Sequence, residues 1–131
     1  MISIKQSTIK GAGKGVFANR DLKKNTLLAE YKGEYLTLED YEERDSGEYV
    51  WQILDDEDEI IGYVDGINIK HSNWTRYVNC PSTKKQENVK AIQKMYKMYY
   101  YTSKDIKKGE ELFVWYGPEY GKKLTGRDHL L

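Results

Sequence analysis

A chain of 131 residues can bury one core of ordinary size but not two. Its 21 basic and 21 acidic side chains cancel, and no apolar run approaches the roughly 20 residues that cross a bilayer. Net-charge-driven binding to nucleic acid and a helical membrane anchor are thereby disfavoured, and twelve tyrosines with three tryptophans argue against disorder.

In chain order, Ile2 to Lys5 alternates as a strand should, and the bend Gly11-Ala12-Gly13-Lys14-Gly15 separates it from a second short strand at Val16-Phe17-Ala18. Leu27 to Leu36 reads as another strand region. Thr37, with Asp40 three residues on, starts a short helix through about Arg44. Tyr49 to Leu54 and Ile60 to Val64 form an expected hairpin around the acid run Asp55 to Glu59, read as a solvated turn. A second hairpin is expected from Val89 to Ile92 and Met95 to Thr102, and a last strand from Glu111 to Tyr116. Many short strands and little helix predict a mainly β fold.

The segments 21–28 and 105–112 echo one another, each a turn followed by a strand with Asn25 or Gly109 where a left-handed residue helps. Charge is uneven along the chain. Residues 1–65 carry 8 basic and 15 acidic groups, a net of −7, and residues 66–131 carry 13 and 6, a net of +7. An acidic face attracts a basic partner, although two surfaces that attract each other within one fold explain the layout equally well.

Cys80 is the sole cysteine, which excludes an internal disulfide and a multi-cysteine zinc cluster; no metal ligand set is assigned. Met1 to Gln6 has no long apolar stretch of a secretory signal, so a soluble nuclear or cytoplasmic protein is expected.

Four separated motifs carry the functional reading: Gly13-Lys14-Gly15, Tyr31-Lys32-Gly33, Arg76-Tyr77-Val78-Asn79-Cys80 and Glu111-Leu112-Phe113-Val114-Trp115-Tyr116-Gly117. Their order resembles that of SET-domain lysine methyltransferases, and the cysteine after the asparagine resembles the PR variety found in the PRDM family. The likeness covers about residues 5–121 of what is expected to be one domain, with 118–131 as a short tail. It implies a SET fold of small sheets, short helices and a pseudoknot-like core, with Arg76 holding a threaded segment. It also implies transfer of methyl groups from S-adenosylmethionine to a protein lysine, favouring the tail of the third core histone and a nuclear location.

By the same resemblance, the backbone of Ala12, Gly13 and Lys14 would hold the methionine end of the cofactor, with Tyr49, Asn79 and Cys80 as further contacts. Glycines of this kind also occur in plain turns, but a dinucleotide fingerprint fails at Val16 and a phosphate loop fails on spacing. Tyr116 matches the catalytic tyrosine, with Tyr31 and Tyr100 as the other channel tyrosines. Ser46, Gly47, Glu48, Val50, Trp51 and Gln52 match the strand that pairs with the substrate peptide. The small Val114, two residues before Tyr116, leaves room for di- or trimethyl-lysine.

The chemistry suits these residue types. A lysine amine, with a pKa of about 10.4, must lose its proton before it attacks, and a dry channel favours that loss. Tyrosine rings exclude water while their hydroxyls orient the amine.

The chain departs from many SET enzymes in having Cys80 where histidine is usual and no cysteine-rich segment after Gly117. Tyr120, Leu124, His129 and Leu130 are candidates to close the channel, unless a partner subunit, including a second copy, does so or the chain is an excised piece of a longer protein. A catalytically silent PR domain that binds other proteins is the alternative reading. A nucleic-acid surface built from Lys84, Lys85, Lys90, Lys94 and Lys97 with Tyr96, Tyr99 and Tyr100 is a third, and overall neutrality argues against it.

Overall fold

The computed structural model describes residues 1–43 and 49–115, together with the backbone of 124–125. It opens with a hairpin in which β1 (Ile2–Gln6) pairs antiparallel with β2 (Lys14–Ala18), Ile2 opposite Ala18 and Gln6 opposite Lys14. The bend between them holds Gly11 and Gly13 at φ 82° and 73°, the left-handed region that side chains resist.

The run from Leu27 to Leu36, expected as one strand region, is divided between two sheets. β3 (Leu27–Glu30) joins a three-stranded sheet and β4 (Glu34–Leu36) a four-stranded one. Tyr31 turns into the core at the break, and Gly33 lies so close to the Asp65 carbonyl that a Cβ would overlap it. Helix α1 (Leu38–Glu42) follows, with the Asp40 backbone N–H donating to Thr37 Oγ1 at 3.2 Å. It ends sooner than expected, at a cap on Glu43, and Arg44 lies outside the described residues.

The expected hairpins are present. β5 (Val50–Leu54) pairs with β6 (Ile60–Asp65), and β7 (Val89–Lys94) with β8 (Lys97–Thr102). Asp55 Oδ1 accepts from the backbone of Glu57 and Glu59, each at 2.9 Å, which closes the first turn and leaves residues 56–59 of the acid run exposed. The sheet orders are β3-β8-β7 and β4-β6-β5-β9, where β9 (Leu124–Thr125) lies parallel to β5 with Leu124 opposite Trp51. Three short 3₁₀ turns, Ile69–His71, Trp74–Tyr77 and Lys84–Gln86, fill the stretch between β6 and β7.

Of the strand expected from Glu111 to Tyr116, residues 111–115 do not form a regular strand, and Tyr116 lies outside the described residues. Glu111 bridges Phe17, Phe113 bridges Asn79 and Val114 bridges Val89. A segment whose successive residues change partner cannot extend a single ladder, so only isolated bridges form. Phe113 and Val114 thereby run between the Asn79 and Val89 segments, and Val114 N donates to Asn79 O at 3.0 Å. The core formed around this crossing includes Val16, Ile53, Val78, Met98, Leu112 and Val114, all essentially inaccessible. The fold is mainly β, with small sheets and little helix.

The internal echo is a structural device. Leu22 and Ile106 exchange two backbone hydrogen bonds at 2.7 and 2.8 Å, while Asp105 Oδ1 accepts from Lys24 N and Asp21 Oδ1 from Lys108 N, both at 2.9 Å or less. Asn25 and Gly109 occupy the left-handed positions of the two turns, at φ 67° and 92°. No helix among the described residues is long and apolar enough to cross a membrane.

Candidate active site

The glycine bend and the Asn79 segment come together. Ala12, Gly13 and Lys14 are exposed, and the Asn79 side-chain amide donates to Lys14 O at 2.9 Å. Space is open at Gly11 and Gly13, where an added Cβ would meet nothing within 4 Å. Cys80 is half-buried with its thiol directed at Pro81 O, 3.5 Å away. Exposed main chain beside an amide that both donates and accepts can hold the polar end of a small ligand.

A second cluster is aromatic. Tyr31 and Tyr100, 3 % and 0 % exposed, have ring centroids 5.4 Å apart, and Trp51 meets both edge-on at 6.5 and 6.1 Å. Each polar tip has a partner. The Tyr31 hydroxyl donates to Tyr49 O at 2.9 Å, and the Trp51 indole N–H donates to the Tyr100 hydroxyl at 3.0 Å. These residues come from the β3–β4 break, β5 and β8, so the cluster also joins the two larger sheets. Such a box excludes water while fixing phenol oxygens in place.

The remaining expected residues are distributed as follows. Val50 and Trp51 are buried on β5, Gln52 is half-buried beside them, and Val114 is fully buried. Tyr49 is half-buried, with the Arg76 guanidinium over its ring at 4.5 Å. Tyr116, Ser46, Gly47 and Glu48 lie outside the described residues, as do Tyr120, His129, Leu130 and the side chain of Leu124. Complete burial of Tyr100 also removes it from any basic–aromatic surface formed with the nearby lysines.

Two features escaped the sequence reading. Arg76 does more than hold a passing segment: it donates through Nε to Gly66 O at 3.0 Å and through a terminal nitrogen to Ile67 O at 3.2 Å, with its cation over Tyr49 and Tyr77. Glu111, 5 % exposed, gathers Ser7, Thr8 and Asn79 around its carboxylate. No local pattern announces the second arrangement, since its members lie up to 104 positions apart. The absence of a side chain at Gly15 was the one available clue: a Cβ there would overlap Glu111 Oε2.

Glu87, close to the Trp115 backbone, has its carboxyl pushed above the usual range by burial, opposed by Lys84, Lys104 and a hydrogen bond from that backbone.

Comparison with known proteins gives a consistent result. A family profile described as PR domain zinc finger protein 2, PR domain, matches residues 2–127. The chain is 32% identical over 125 residues to histone-lysine N-methyltransferase set-17 of Caenorhabditis elegans, covering 95% of this chain and 44% of that protein. It is 37% identical over 130 residues to histone-lysine N-methyltransferase PRDM7 of Homo sapiens, covering 98% and 26%. The chain thus spans less than half the length of these curated relatives. In fold it is similar to the methyltransferase domain of human PR domain-containing protein 2, with a TM-score of 0.73 at 24% identity over 91% of this chain and 78% of that one. It is also similar to ctPRC2 in an autoinhibited conformation bound to S-adenosylmethionine, with a TM-score of 0.71 at 27% identity over 90% of this chain and 16% of that one.

Proposed function

Because the chain belongs to the PR domain family of SET-fold proteins, we propose that it transfers methyl groups from S-adenosylmethionine to a lysine of a histone tail in the nucleus. The observation that carries this reading is the meeting of the exposed glycine bend with the Asn79 amide at Lys14 O, alongside the buried Tyr31, Tyr100 and Trp51 box.

The donor set fits the cofactor. Main chain at Ala12, Gly13 and Lys14 would hold its amino-acid end, and Asn79, Tyr49 and Cys80 would complete the contacts, with open space beside Gly11 and Gly13. When bound, the cofactor supplies an electrophilic methyl group on a positively charged sulfur.

The chain's own task is to deliver a neutral amine in line with that methyl. Tyr31 and Tyr100 keep water from the lysine head and hold phenol oxygens in fixed positions, which raises the population of the productive geometry. Tyr116 completes the set as the catalytic tyrosine. The low-dielectric surroundings favour loss of the ammonium proton, so no dedicated basic side chain is required. Val50, Trp51 and Gln52, with Ser46, Gly47 and Glu48, would receive the extended peptide by main-chain pairing. The acidic half of the chain, with its exposed residues 56–59, suits a basic tail. Val114, fully buried between the Asn79 and Val89 segments, is smaller than a tyrosine and would restrict the added methyls less, which favours di- or trimethylation.

The test is transfer of a labelled methyl group to a panel of histones by the wild-type protein and by Tyr116→Phe. A loss of at least about tenfold in the variant is expected, as for removal of one fixed donor from an active site. Equal labelling by the two proteins removes Tyr116 from its role. Tail binding without any transfer makes the domain an interaction module instead.

A further inference from the structure

We propose that Glu111 is a positioning residue for cofactor binding, acting as a buried carboxylate latch that sets the glycine bend and Asn79 relative to one another. The inference rests on the reading of that bend and Asn79 as the cofactor site.

Glu111 is the point where three separated parts of the chain meet. Its Oε1 accepts from Thr8 N at 2.8 Å and from Thr8 Oγ1 at 2.6 Å, and its Oε2 accepts from Ser7 Oγ at 2.7 Å and from Asn79 Nδ2 at 3.4 Å. The same Asn79 nitrogen donates to Lys14 O at 2.9 Å, and Ser7 N donates to Gly13 O at 2.8 Å. The carboxylate therefore grips both ends of the bend, directly at residues 7 and 8 and through Asn79 at residue 14. Gly15 admits it, because a side chain there would occupy the position of Oε2.

A buried carboxylate retained by four neutral donors has specific geometric demands. Hydrogen bonds to an ionised acceptor are stronger than those between neutral groups and fall off as their donors turn away. Orienting Asn79 Nδ2 towards Glu111 and Lys14 also orients the other end of that amide, its oxygen, which cannot rotate independently. Glu111 thus controls the contact Asn79 offers without itself reaching the ligand.

Glu111→Gln separates this role from simple packing. The amide can keep its oxygen towards the Thr8 N–H, and the Ser7 hydroxyl can reverse to accept from the new NH₂ group. The Asn79 NH₂ cannot reverse without giving up Lys14 O, so donor faces donor at that contact alone. Ser7→Ala is the complementary variant, since it removes a donor to Oε2 and the acceptor of Ile9 N but leaves the Glu111 to Asn79 contact in place.

Two readouts test the proposal. The side-chain amide signals of Asn79 in a nitrogen–proton NMR spectrum report the latch without any cofactor, and calorimetric titration with S-adenosylmethionine reports its consequence. Shifted Asn79 signals and roughly tenfold weaker cofactor binding are expected for Glu111→Gln, with a smaller change for Ser7→Ala and an unchanged affinity for histone peptide in both. Unchanged Asn79 signals in a folded Glu111→Gln protein overturn the latch. Shifted signals with wild-type cofactor affinity overturn its role in binding. A wild-type protein that binds no cofactor, while the Asn79 signals still respond to Glu111→Gln, overturns the assignment of the site and the proposal with it.

Discussion

The indole nitrogen of Trp51 donates a 3.0 Å hydrogen bond to the hydroxyl of Tyr100, and neither side chain is more than 3 % exposed. The bond connects β5 of the four-stranded sheet to β8 of the three-stranded one, so it holds the aromatic box together and adds to the two Leu54–Gln93 hydrogen bonds, 3.0 and 2.7 Å, that also join the two sheets.

Tyr100→Phe removes the acceptor while the indole donor stays buried. It is expected to lower stability by about 1–3 kcal/mol, the cost of a buried donor that loses its partner. Trp51→Phe removes the donor and leaves a cavity, and the double variant is expected to lose less than the two single losses combined. Urea unfolding of the four proteins gives the coupling directly; additive losses would show that the bond contributes nothing.

Gly33, of the Tyr31-Lys32-Gly33 motif, has no room for a methyl group because the Asp65 carbonyl occupies it. Gly33→Ala would bring its Cβ to 2.4 Å from a backbone oxygen, so backbone must move and the cost is expected at the top of the overpacking range, about 3 kcal/mol. Gly11→Ala meets open space and carries only the left-handed penalty of its φ of 82°, about 1–2 kcal/mol. The expected order in thermal unfolding is wild type, then Gly11→Ala, then Gly33→Ala. The reverse order for the two variants would contradict the close packing at Gly33.

The paired turns at Asn25 and Gly109 make a comparable prediction about backbone conformation. Gly109→Ala places a Cβ at φ 92° and is expected to lower stability by about 1–2 kcal/mol, with Gly109→Asn losing less because asparagine tolerates that region better. Asn25→Gly, at φ 67°, is expected to stay within about 0.5 kcal/mol of the wild type. Thermal melts of the three variants check the assignment, and equal losses for Gly109→Ala and Gly109→Asn would refute it.

Burial raises the folded-state pKa of Glu87 above its unfolded value, so the folded protein binds this proton more readily than the unfolded chain. The sign follows: as pH rises from the unfolded carboxyl range through the raised folded pKa, the group loses a proton that favoured folding, and stability falls. Relative to Glu87→Gln, which cannot titrate, the wild-type melting temperature is expected to be highest below the ordinary carboxyl value of 4.5 and to decline as pH rises from there. A difference that is flat or rises with pH would contradict the burial of this carboxyl.

Much of the architecture could be read before any coordinates. Alternation of apolar residues located both main hairpins, Thr37 with Asp40 located the helix start, and Asn25 and Gly109 marked the left-handed turns, because each of these is decided by neighbours within a few positions. The order of the four motifs also pointed to the family that the comparison of residues 2–127 identifies. The division of 27–36 between two sheets and the breakup of 111–114 into isolated bridges were not legible. Apolar patterning says that a segment is buried, but not whether its successive residues share one partner strand.

For the candidate site, the resemblance carried by the four motifs nominated Tyr31, Tyr100, Asn79 and the glycine bend, whereas residue types alone leave the tyrosines as core residues and the bend as a plain turn. Tertiary structure alone decided that Trp51 holds the Tyr100 hydroxyl and that Glu111 ties Ser7 and Thr8 to Asn79. Hydrogen bonds between residues 32 to 104 positions apart depend on how sheets pack against one another, and no local pattern records that packing.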